Sequence, residues 1–184
     1  MSVARPPDPR KLDVARLAAT GAEIEGEWPL EGFARLVHAM PPGDAAPTAP
    51  VSFRATGERA ALAGAGVQAA VRLDARALVR LECQRCLQAM AVPLHVERRF
   101  FFVPGEDEAA ALDEDSEDDV LALIPSFDLH GLVEDELLLA LPIVPRHDVC
   151  PVPVSLVFED DGTEAEPGDH PFAALASLKA GKPP

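Results

Sequence analysis

The chain has 184 residues and a formal net charge of −15, enough length to bury one sizeable core but short for two full domains. That charge opposes a protein that coats nucleic acid through whole-body attraction to phosphate, so any RNA contact has to be local or indirect. Three cysteines, Cys83, Cys86 and Cys150, are too few, and odd in number, for the disulfide framework of a small secreted scaffold.

The first residues, MSVARPPDPRKLDVARL, carry no continuous apolar stretch before a small-residue cleavage site, and no twenty-residue apolar span follows. The expectation is a cytoplasmic protein without signal peptide or membrane anchor. Residues 1–20 read as a short arm or first helix, with a ragged stripe of Leu12, Ala15, Leu17 and Ala18. Alternation from Glu23 to Trp28 predicts a strand, Phe33 to Met40 a helix, and the proline-rich 41–50 a loop. From Val67 to Cys83 every odd position is apolar, while Arg72, Asp74, Arg76, Arg80 and Glu82 take even ones, a half-buried strand signal. An unbroken strand of that length would exceed about 50 Å, so a bend or hairpin is expected near Leu73 to Arg76. Met90, Val92, Leu94 and Val96 alternate again and lead into Phe100, Phe101 and Phe102, so the CQRC tetrapeptide joins two strands.

Residues 105–125 hold a run of nine carboxylates between Glu106 and Asp119 with few large apolar residues, and read as a solvated acidic loop. In DLHGLVEDELLLAL, Leu129, Leu132, Val133, Leu137, Ala140 and Leu141 have the spacing of an amphipathic helix that Pro142 ends. Glu136 projects into its apolar stripe, where a carboxylate needs a partner such as Arg85 or a backbone N–H. A last short helix over HPFAALASLKAG is framed by Pro171 and Gly181, with Phe172 and Leu175 as contacts to the body or a partner. The fold expected is α+β: an antiparallel β-sheet or partly closed barrel over 21–104, the loop, and a helical part, 126–184, that supplies two covering C-terminal helices.

Cys83 and Cys86, with His147 and Cys150 far downstream, supply three sulfurs and an imidazole, a complete tetrahedral set for structural zinc. Reduced structural thiols and redox chemistry are the other readings. A thioredoxin-like role lacks its context, because a strand rather than a helix follows the CxxC. No Gly-x-Ser-x-Gly elbow, His-Glu-x-x-His pair or phosphate-cradling glycine loop is present, so no catalytic apparatus is expected. The segment bearing Arg54, Arg59, Arg72, Arg76, Arg80, Arg85, Arg98 and Arg99 is net basic. Arg72, Arg76, Arg80 and Arg85 are candidate phosphate ligands, or simply the wet face of a sheet. His38, His95, His130 and His170 form no readable cluster.

Three segments, LECQRCLQAM at 81–90, LVEDELLLALPIVPRH at 132–147 and HPFAALASLK at 170–179, resemble in order and spacing the YceD family, the large ribosomal RNA subunit accumulation proteins. The resemblance covers roughly residues 50 to 180. It falls on Cys83, Arg85 and Cys86, on Glu134, Asp135, Glu136 and Pro142, and on Phe172 and Leu175. It implies a non-enzymatic factor supporting synthesis, processing or stability of large-subunit (23S) ribosomal RNA, with that RNA or its precursor as a direct or indirect partner. The rival expectation is a protein-only adaptor that holds a ribosomal protein or a nuclease through the acidic segment and tail helix.

Overall fold

Alternating side chains build a mixed sheet of five strands in the order β1-β2-β3-β4-β5: β1 (Glu23–Trp28), β2 (Val51–Leu62), β3 (Gly66–Glu82), β4 (Ala89–Val103) and β5 (Asp119–Ala122). The computed structural model describes residues 8–42 and 49–152. All of these fall in the first of two units, Met1–Pro153 and Val154–Pro184. The sheet is open, so it is not the partly closed barrel, and β5 runs parallel to β4, so it is not wholly antiparallel. The proline-rich loop lies partly, and the tail helix with Phe172 and Leu175 wholly, outside the described residues.

No bend interrupts β3, which continues for 17 residues. Gly66 to Gln68 pair with β2 alone, Ala69 to Arg76 lie between β2 and β4, and from Ala77 to Glu82 the strand pairs with β4 alone. Each residue thus keeps a ladder partner on at least one side, and that pairing, not length, decides where a strand ends.

The inward face of β3, Val71, Leu73, Ala75, Ala77, Val79 and Leu81, is covered by α1 (Val14–Thr20) and α4 (Leu129–Leu139), and α2 (Ala34–His38) packs beside α4 with its Leu36 in the same core. Two of these helices are N-terminal, so residues 1–20 supply part of the cover: Leu12, Val14, Leu17 and Ala18 are buried. Asp13 caps α1 by accepting from the Arg16 N–H at 2.9 Å, and Asp128 caps α4 through the Gly131 N–H at 3.1 Å. Trp28 stacks on Phe53 with centroids 3.8 Å apart.

Gly57 is where α1 meets β2. A Cβ there would lie 2.4 Å from the backbone carbonyl of Leu17. Gly57→Ala is therefore expected to displace α1 and cost on the order of 2 kcal/mol, read as a lower urea midpoint with an unchanged slope.

The acidic segment is not a loop. Residues Glu106–Asp113 form helix α3, and β4–α3–β5 is a strand–helix–strand connection between parallel strands. It covers the far face of the sheet with a second small core of Leu62, Ala70, Phe101, Val103, Ala109 and Val120. This explains the aromatic run of β4: Phe100 and Phe102 enter the main core, while Phe101 enters the second. The carboxylates are used in place. Asp118 pairs with Arg99 and Asp119 with Arg98, and Asp113 accepts the Val120 N–H at 2.8 Å.

Candidate metal centre

The turn from Cys83 to Gln88 closes on itself through Cys83 N–H to Gln88 O at 2.9 Å and Leu87 N–H to Cys83 O at 2.8 Å. Leu87 is held at φ 59, the left-handed region that costs a non-glycine residue about 1 kcal/mol. The chain leaving α4, steered by Pro142 and Pro145, passes beside this turn, and Gln84 N–H donates to Pro145 O at 2.9 Å. That crossing brings His147 and Cys150 to Cys83 and Cys86.

Cys83 Sγ lies 3.9 Å from Cys150 Sγ, and Cys86 Sγ lies 3.5 Å from His147 Nδ1. All four atoms fall within 4.8 Å of one another. A disulfide would need about 2.05 Å, and the three cysteines are free. Bonds of about 2.3 Å to sulfur and about 2.05 Å to nitrogen give a tetrahedron with edges of about 3.8 Å and about 3.5 Å, close to the Cys83–Cys150 and Cys86–His147 separations.

Donors converge on the sulfurs. His147 N–H points at Cys83 Sγ at 3.4 Å. Arg85 Nε donates to Cys150 Sγ at 3.0 Å while its Nη2 donates to His147 O at 2.9 Å. Burial pushes the Cys83 thiol up, but the backbone N–H groups of His147, Cys86 and Arg85 outweigh it and bring the pKa down to about 5. Burial, with the neighbouring thiols, pushes Cys86 up. Cys83 is buried and the other three ligands half-buried.

Arg85 thus sits with the cysteines, apart from Arg72, Arg76 and Arg80 on the outer face of β3. On that face Arg72 pairs with Glu58 at 3.5 Å and Arg76 with Asp74 at 3.3 Å, while Arg80 is half-buried. An open cleft of about 570 Å³ there is lined by Glu25, Glu27 and Asp74 as well as Arg54 and Arg76, so its charges nearly cancel. Asp74, His95 and Glu97 form an exposed group that sequence reasoning missed. It depends on the β3–β4 register, and its Asp74 is already shared with Arg76.

In α4, Glu136 is buried as expected, yet at the border of the stripe, since Ala140 is exposed. Its expected partner Arg85 is engaged at the cysteines, and the cation acting on Glu136 is Arg98. Sequence reasoning gave Glu134 no role of its own. Its Oε1 accepts the N–H groups of Arg35 at 2.7 Å and Leu36 at 3.4 Å, and its Oε2 accepts Arg35 Nε at 3.0 Å. Asp135 pairs with the same guanidinium. The Val-Glu-Asp-Glu motif is therefore a fastening between α4 and α2, with no open carboxylate pair for acid–base work among the described residues.

An α+β chain in which a Cys–His cluster ties a β-hairpin turn to the segment after a helix is thus the class of protein defined here. The family model described as Large ribosomal RNA subunit accumulation protein YceD matches residues 71–179, more than half of the chain and the whole cluster, and the chain belongs to this family. A relative from Haemophilus influenzae, named Large ribosomal RNA subunit accumulation protein YceD, is 40% identical over 104 residues. The alignment takes in 55% of this chain and 60% of that relative, so the chain spans about three fifths of the relative's length. No solved structure matches.

Proposed function

We propose that this protein is a non-enzymatic, cytoplasmic factor that supports the accumulation of large-subunit ribosomal RNA, acting on that RNA or its precursor. The observation that carries this reading is the family match over residues 71–179, together with the relative's name. The chemistry agrees with it. The cluster richest in reactive groups brings its four side chains within 4.8 Å of one another across two chain segments, which suits a fastening rather than a reaction centre.

In this reading RNA contact runs through Arg72, Arg76 and Arg80, since the chain is too acidic elsewhere to draw in a phosphate backbone. A phosphate has to displace Glu58 from Arg72 and Asp74 from Arg76, so binding is modest and salt-sensitive. The test neutralises all three as Arg→Gln, because charge reversal would set like charges against Glu58 and Asp74. Expected results are a salt slope lowered by up to about three and failure to restore large-subunit ribosomal RNA in a deletion strain. Full restoration of the RNA by the folded triple variant would remove this face from the mechanism.

A further inference from the structure

Sequence reading left zinc, plain thiols and redox chemistry open at the cysteines, and the functional reading uses none of them. We propose that Cys83, Cys86, His147 and Cys150 hold one structural zinc ion, and that Arg85 is its outer-shell partner rather than a ligand for RNA.

The ligand atoms come from two chain segments 61 to 67 residues apart, yet all lie within 4.8 Å of one another, and Cys83 Sγ–Cys150 Sγ at 3.9 Å and Cys86 Sγ–His147 Nδ1 at 3.5 Å have the edge lengths of a tetrahedron. Plain thiols have no reason to keep that shape, since each S–H is a weak donor content with any nearby carbonyl. A redox pair would bring two sulfurs to bonding distance. Here sulfur is the acceptor of strong donors, His147 N–H and the Arg85 guanidinium, as expected of thiolates bound to a cation. Three thiolates and an imidazole form a soft S₃N set, which selects zinc over the oxygen-loving magnesium and calcium. Four protein ligands leave no open position, so the ion is structural.

Three thiolates around a divalent ion leave one net negative charge, and the Arg85 guanidinium cancels it. The same side chain holds His147 O at 2.9 Å and Asp148 O at 3.4 Å, so it fixes the backbone between the two downstream ligands. That is the work of an outer-shell residue. The main core lies on the other elements, so losing the ion frees the 142–150 segment from the turn without dissolving the sheet.

The test uses the full chain, expressed in zinc-supplemented medium and purified without chelator. Elemental analysis is expected to find about one zinc per chain, and cobalt(II) added to the reduced, metal-free protein is expected to give the tetrahedral bands and thiolate-to-metal charge transfer of an S₃N site. Arg85→Ala is expected to lose zinc to a chelator about 10-fold faster or more, with Arg85→Lys in between. Metal far below stoichiometric with no thiolate–cobalt band overturns the site, and this result needs no variant to fold. One equivalent retained in both His147→Ala and Cys150→Ala overturns the ligand set. Unchanged release from Arg85→Ala overturns the role of Arg85.

Discussion

Phe101→Ala is expected to destabilise the protein by about 3–5 kcal/mol and to lower the melting temperature by roughly 10 °C. The ring is almost completely buried, opposite Ala70 and against Val103, Ala109 and Val120. Its removal leaves a cavity under α3 and β5, elements too short to collapse into it. The Arg99 guanidinium, 5.1 Å from the ring centroid, loses that face as well. Phe101→Leu keeps most of the volume and is expected to cost much less. Chemical denaturation of both variants checks this. A change within about 0.5 kcal/mol for Phe101→Ala, the size typical of an exposed site, would mean that the acidic segment does not cover this face.

Glu134→Ala is expected to cost about 2–3 kcal/mol. It strips α2 of the one side-chain acceptor at its N-terminus among the described residues, since Phe33 at the cap has no side-chain oxygen, and leaves the Arg35 and Leu36 N–H groups unsatisfied under α4. The Arg35 guanidinium is half-exposed, so water screens that part of the pair and the sheltered N–H bonds carry most of the loss. The carboxylate also sets an acid limit. Burial pushes the Glu134 carboxyl up, and Arg35 with the two N–H groups more than reverses this, holding it below its ordinary value. Its stabilisation is complete above the ordinary carboxylate pKa and disappears as pH falls through the lowered one.

His130, stacked on Phe33 with centroids 4.2 Å apart, works in the same direction. Burial, with Arg10, lowers its pKa, so its contribution is present at neutral pH and fades as pH falls below about 6.5. Glu136 opposes both, because burial raises its carboxyl and protonation relieves it. Urea midpoints taken from about pH 7 down to about pH 2.5, through the carboxylate range, should fall for the wild type and fall less for Glu134→Gln. An identical pH profile for the two would assign the acid limit to other groups.

Period-two alternation alone located β1 and the β3–β4 hairpin, because inward and outward residues of a half-covered strand differ in polarity at every step. The cluster was legible as two ligand pairs, Cys83 with Cys86 and His147 with Cys150, since short spacing within each pair is local information. Where both faces are covered the alternation vanishes, and Phe100 to Val103 reads only as an apolar run. Beneath nine carboxylates, α3 and β5 left almost no apolar signal, since each needs only a narrow strip of Ala109 and Val120 to dock.

What the sequence by itself determined is therefore what depends on neighbours along the chain: the alternating strands, the capped helix α4, the cysteine turn and the family. Only the tertiary structure decided which distant groups meet. It set Glu134 on the N–H groups of α2, some 98 to 99 residues away, because helix periodicity singled out Glu136 in the stripe and says nothing of what faces either carboxylate. It moved Arg85 from the basic strands to Cys150, because the path after Pro142 is written in no local pattern. It also matched Arg72 of β3 with Glu58 of β2, because strand register, not composition, decides which charges stand opposite one another.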